Sequence, residues 1–141
     1  MKKVWRTTFL GIICLLVFLT SMTSMSAPAT ITFWAMPNAP DEVHIPWVEA
    51  KAAEFERQTG IKVNFEVIGW DVAWQKITSS FVTGEGADVF QVGTTWNPQF
   101  AAAGGLEELN IAEFGGKDAF MKANYESTTY KGKCYGVPWF A

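Results

Sequence analysis

Three β-rich runs, each followed by a helical pattern, constrain this chain more than any other feature of it. Residues 30–35 are β-branched and aromatic, with apolar side chains on both faces, the pattern of a central strand buried on both sides. Pro37, Asn38 and Pro40 then mark a loop. A helix is predicted over 42–59, with Ile45, Val48, Ala52 and Phe55 at helical spacing and Glu49, Glu54, Glu56 and Arg57 facing water. Pro46 is expected only in its first turn, and Gly60 is its C-terminal stop. Residues 61–67 alternate strictly, as a strand with one buried face does. A second helix is predicted over 71–82, where Trp70, Trp74, Ile77 and Phe81 form one stripe, and Gly84-Glu85-Gly86 ends it. Residues 88–93 are the third strand. A short helix opening at 94–98 runs through Ala103 and stops at Gly104-Gly105. The order β-α-β-α-β-α implies a parallel sheet with helices on both faces.

The remainder is weaker in pattern. Residues 117–126 read as a further helix, 130–135 as a hairpin, and 136–141 as an apolar, strand-like run. A chain of 141 residues ending in such a run is expected to be truncated.

Upstream of the first strand, Lys2, Lys3 and Arg6 precede an apolar run of about 11 residues from Phe9 to Leu19, within the range of a secretory core and too short to span a bilayer. Ala27-Pro28-Ala29 fits a signal-peptidase site that would release Thr30. Ser24-Met25-Ser26 is a second possibility, releasing Ala27. Residues 1–29 are therefore expected to be a signal peptide. Cys14 lies mid-run after Ile13, without the small residue that a lipidation site needs, which favours a periplasmic product. Losing Lys2, Lys3 and Arg6 removes three of the 11 basic groups against 14 acidic ones, and the balance moves from −3 to −6. With no basic stripe, no nucleic-acid partner is expected. Of two cysteines only Cys134 would remain, most simply as a small buried hydrophobe.

Catalytic constellations are not expected. His44 is the one histidine, no His/Cys/Asp set has metal-ligand spacing, and Gly84-Glu85-Gly86 follows a helix instead of preceding one, the wrong side for a phosphate. The Glu107-Glu108 pair reads as solvated surface charge. Neither a cofactor nor a metal is called for.

Seven tryptophans do call for a core or a ligand. In an open parallel sheet, ligands bind beyond the carboxyl ends of the strands. The loops there carry Trp34, Met36 and Asn38, then Trp70 and Asp71, then Thr94, Thr95 and Trp96. Each pairs an aromatic with a polar group, as sugars require: their C–H faces pack on flat rings and their hydroxyls need amide, carboxylate or hydroxyl partners. Packing competes at several positions. Trp74 and Trp47 read as helix packing, Trp34 as strand core or ligand wall, Asp71 as N-cap or ligand acceptor, and Asp88 as the start of a strand. Trp96 is expected to wall a sugar site with Thr94 and Thr95 donating and Trp70 or Asp71 opposite. Its loss should then weaken binding and leave the melting temperature nearly unchanged.

Several stretches together resemble the N-terminal part of extracellular solute-binding proteins of sugar ABC transporters, the family-1, maltose-binding-like group. They are residues 31–34 after the signal segment, 55–63, 86–96, 106–109 and 130–139. The resemblance implies a periplasmic-binding-protein-like (type II) α/β lobe, parallel-rich with flanking helices, over 30–141, and a second lobe largely missing. It implies a monomeric, periplasmic or extracellular receptor that closes over a sugar or oligosaccharide and presents it to permease subunits. Trp139, in the last of these stretches, joins the candidate ligand residues. An exported glycan hydrolase, or a fragment without activity, are the alternatives.

Overall fold

The computed structural model describes residues 29–139. The expected signal segment up to Pro28, Cys14 within it, and residues 140–141 lie outside the described residues.

The three strands are β1 (Thr30–Ala35), β2 (Lys62–Val67) and β3 (Val89–Phe90). They form one parallel sheet in the order β2-β1-β3, so the first strand is the central one. Thr30 lies opposite Lys62 and Ala35 opposite Val67, while Phe33 and Trp34 lie opposite Val89 and Phe90. β2 alternates between exposed and partly covered residues, as its sequence predicts. β3 is shorter than predicted: its ladder covers two residues, extended by the Gln91 N–H donating to the Trp34 carbonyl at 2.9 Å. Asp88 starts it. Its carboxylate accepts from the Thr32 backbone N–H at 2.7 Å and from the Thr32 hydroxyl at 2.8 Å, and its own N–H donates to that hydroxyl at 3.0 Å.

Helix α1 (Asp41–Thr59) joins β1 to β2, and α2 (Trp70–Thr83) joins β2 to β3. Both end on a glycine in the left-handed region, Gly60 at φ 73° and Gly84 at φ 70°, whose N–H groups donate to Glu56 and Ser80 carbonyls. A side chain would be strained there. Pro46 lies inside α1, beyond the expected first turn. It deprives the Glu42 carbonyl of its helical donor, and both residues sit on the exposed side, where water can replace that bond. The inward side of α1 is also shifted: His44 and Val48 are buried, while Phe55 is exposed.

Because β1 is central, the chain steps to one side for β2 and back across for β3, and right-handed crossovers then put α1 and α2 on opposite faces. Successive residues of a strand point to opposite faces, and the packing agrees. Trp34 joins a core of Met36, Ile68, Ala73, Ile77 and Phe100, with Phe81 and Phe90 packed against it. Phe33, on the other face, meets Trp139, which meets Trp47 of α1.

Helix α3 (Asn97–Ala102) follows β3 and turns off at Gly104, φ 76°. The helix predicted over 117–126 is interrupted: a 3-10 turn covers Lys117–Ala119, Phe120 is extended, and α4 covers only Lys122–Ser127. The predicted hairpin is present as β4 (Thr129–Tyr130) and β5 (Lys133–Cys134), joined by Lys131 at φ 50° and Gly132 at φ 79°. Two consecutive positive φ values are those of a type I′ turn. The Leu109 N–H donating to the Cys134 carbonyl and the Lys133–Glu108 ion pair hold the hairpin to the chain after α3. Cys134 is buried and unbridged. Residues 136–139, expected to be strand-like, form no strand.

Candidate functional site

All three strands point the same way, so residues 36–40, 68–70 and 91–96 emerge together at the carboxyl edge of the sheet. Side-chain hydrogen bonds fasten them there. Gln91 is buried between the first and third loops: its Oε1 accepts from the Met36 N–H at 3.3 Å and the Asn38 amide at 3.1 Å, and its Nε2 donates to Asn38 Oδ1 at 3.0 Å. The first and second loops are joined by the Trp70 indole N–H, which donates to the Pro37 carbonyl at 3.0 Å.

Aromatic rings complete the edge. Trp96 stands edge-on to Trp70 with centroids 5.7 Å apart and edge-on to Trp74 at 5.2 Å. Beneath them, Phe100 meets Trp74 at 4.7 Å and Trp96 at 6.1 Å. Gly93 lies under two of these rings. A Cβ built there would touch Trp70 and Trp96 at 3.9 Å, ordinary contact, so the turn is close to the indoles without being crushed by them. Its carbonyl accepts from the Trp96 N–H at 2.9 Å, which turns the chain into α3. Trp70 is 41% exposed, and Asp71, Thr94 and Thr95 are exposed as well. Asp71 does not cap α2. Gly69 is the cap residue, and the Asp71 carboxylate sits in the first turn, folded back close to Gly69. A carboxylate there is favoured by the helix dipole.

The nine candidates thus divide. Trp70, Asp71, Thr94, Thr95 and Trp96 share the edge. Asn38 is beside them, exposed, with its amide engaged by Gln91 as a loop clamp. Met36 is fully buried in the core, so its side chain is packing and not a ligand contact, a correction to the sequence reading. Trp34 is also removed from the edge. Lys76 lies over its ring at 4.4 Å, and the ring reaches toward Gly86, which precedes β3 and so marks the opposite, amino end of the sheet. Trp139 stands on the other sheet face with Phe33 and Trp47. Sequence reasoning missed Gln91 and the exposure of Trp74, which is 38%. A polar amide inside an otherwise apolar strand was the available signal for Gln91.

A parallel sheet with α1 and α2 on opposite faces, and a polar and aromatic edge at the carboxyl ends of its strands, defines an open α/β lobe. Over residues 39–141 the chain matches the bacterial extracellular solute-binding proteins, and it belongs to that family. It is 33% identical over 115 residues to the diacetylchitobiose binding protein DasA of Streptomyces coelicolor, an alignment covering 81% of this chain and 26% of that protein. Among solved structures it is similar to the sugar-binding protein MalE of Xanthomonas citri, with a TM-score of 0.63 and 30% identity over 79% of this chain and 28% of that one. The maltotriose binding protein of Thermus thermophilus is similar too, with a TM-score of 0.62 and 27% identity over 76% of this chain and 28% of that one. The chain spans about a quarter of the length of these relatives. Its fold is that of part of a type II periplasmic-binding-protein lobe.

Proposed function

We propose that this chain supplies the first lobe of an exported receptor that captures a sugar and delivers it to the permease of an ABC transporter. The observation that carries the reading is the joined edge: Trp70 and Trp96 make one aromatic surface from the segments after β2 and β3, and the Trp70 bond to the Pro37 carbonyl fastens it to the loop after β1. Exposed Asp71, Thr94 and Thr95 beside it offer the acceptors and hydroxyls that sugar hydroxyls need. Flat rings with a few polar groups at a strand-end crevice suit a carbohydrate better than a charged or wholly apolar solute. The sugar ligands of the similar proteins support the same class.

In this reading the receptor is a monomer, its signal segment is removed to expose Thr30 or Ala27, and a second lobe closes over the ligand. Calorimetric titration of the purified full-length protein with diacetylchitobiose, maltotriose, N-acetylglucosamine and glucose tests it. Saturable binding of at least one is expected. Binding of none, or release of new reducing ends from the chains, would overturn it. N-terminal sequencing of the secreted product tests export, and an intact Met1 in the membrane fraction would count against it.

A further inference from the structure

We propose that Gln91 is a positioning residue of the carboxyl edge: it fixes which way round the Asn38 amide stands, so that Asn38 meets a ligand hydroxyl with donor and acceptor in set places. The inference rests on the sugar-receptor reading.

Orientation passes outward from the backbone. A backbone N–H can only donate, so the Gln91 atom that faces the Met36 N–H is Oε1. Gln91 Nε2 is then the atom left to face Asn38, and it donates to Asn38 Oδ1 at 3.0 Å. Asn38 is held one way round in turn, its Nδ2 donating to Gln91 Oε1 at 3.1 Å. Turning Asn38 over would set N–H against N–H and oxygen against oxygen. A side-chain amide carries two N–H donors and an oxygen with two lone pairs. The pairing with Gln91 uses one of each on Asn38 and leaves one of each, and Asn38 is exposed where Gln91 is buried. A sugar hydroxyl both donates and accepts, so an amide of fixed orientation dictates how that hydroxyl must stand.

Holding the loop does not require this pairing. Met36 is fully buried in the core and the Pro37 carbonyl accepts from the Trp70 indole, which fixes the chain just before Asn38. Nor does the strand require an amide at 91. Val89, Phe90 and Val92 are apolar, and an apolar side chain between them would leave no buried polar group to satisfy. Gln91 instead directs two hydrogen bonds at one exposed side chain. A side chain ordered in advance loses less rotamer freedom when ligand binds.

Calorimetry on the full-length protein tests the proposal, with whichever of diacetylchitobiose, maltotriose, N-acetylglucosamine and glucose binds most tightly. Gln91→Met keeps the length of the side chain without its hydrogen bonds. Gln91→Met and Asn38→Ala should each lower affinity roughly three- to tenfold. The double variant should bind no more weakly than Asn38→Ala, because Gln91 acts through Asn38. A further loss in the double variant equal to that of Gln91→Met alone overturns the proposal, and so does unchanged affinity in either single variant. NMR of the isotope-labelled, ligand-free protein supplies a readout that loop stability alone does not move. The Asn38 side-chain N–H bonded to Gln91 should exchange with water well below the rate of a free asparagine amide, and exchange at the free rate overturns the proposal. That measurement and Asn38→Ala decide the matter should Gln91→Met fail to fold. Each of these failures leaves the receptor reading standing, whereas binding of none of the four sugars overturns both.

Discussion

The indole N–H of Trp70 donates to the carbonyl of Pro37 across 3.0 Å, tying the first residue of α2 to the loop that follows β1. The two are 33 positions apart in sequence. The bond turns a ring that helix geometry alone would leave free to rotate into a fixed wall. It also connects the loops of two neighbouring strands with no side chain of β1 itself taking part.

Trp70→Phe removes that bond and keeps a ring. A neutral hydrogen bond contributes about 0.5–1.5 kcal/mol, so the melting temperature should fall slightly. Sugar affinity should fall about tenfold or less as the ring loses its fixed orientation. Trp70→Ala should lose more affinity, because the stacking face goes as well. Titration and thermal melting of both variants in the full-length protein check the order.

Trp96→Ala should weaken both binding and stability. Composition and position alone suggest a ring that serves only the ligand. Trp96, however, meets Trp70, Trp74 and Phe100 and packs against the core cluster. Removing a partly buried indole from such packing is expected to cost about 1–3 kcal/mol. Urea unfolding of Trp96→Ala, with Trp96→Phe as the partial restoration, measures it.

Asp88 should make β3 sensitive to acid. The Thr32 backbone N–H, and then its hydroxyl, hold the Asp88 carboxyl below the ordinary aspartate range. A lowered folded pKa means that the carboxylate stabilises the fold above the ordinary aspartate pKa, and that this contribution is lost as pH falls through the lower folded value. Asp88→Ala should therefore reduce stability at neutral pH and flatten its decline at the acid end. Melting curves from neutral pH down to about pH 3 would show the two profiles converging.

Lys131→Asn should stabilise the hairpin. Lys131 is the one non-glycine residue with positive φ among the described residues, and it sits in a turn that asparagine suits better. Relief of a left-handed lysine is worth about 1 kcal/mol. Loss of the exposed Lys131–Tyr130 cation–π contact offsets part of that. A small rise in the denaturation midpoint is the expected result.

Much of the frame was legible because it depends on local chemistry. Gly60 and Gly84 end helices by a conformation open to glycine at little cost, and the alternation of 61–67 reports one covered face. The parallel sheet with helices on both faces followed from connection rules, and the two-sided apolar pattern of 30–35 marked the central strand. The site was legible only in part. A helical stripe at Trp70, Trp74, Ile77 and Phe81 looks uniform in sequence, yet Ile77 is fully buried while Trp70 and Trp74 stay partly exposed. Met36 follows β1 as a loop residue would, but its side chain turns back into the core. Gln91 reaches Asn38 across 53 positions, a pairing that no local pattern encodes. Phe120, extended between a 3-10 turn and α4, interrupts a run that the sequence alone reads as one helix.

The central place of β1 has a consequence for the order in which the lobe assembles. The first strand made is the one that both others need, so it waits with two open edges. Closing onto β2 spans a shorter stretch of chain than closing onto β3, and shorter closures cost less entropy. β2 also matches β1 along its whole length, whereas β3 contributes two paired residues and the Asp88 latch. The β3 segment is thus the last to settle and the first to open. Gln91, Thr94 and Trp96 ride on it, which makes the carboxyl edge at β3 the fastest-exchanging part of the sheet in a native-state amide exchange experiment.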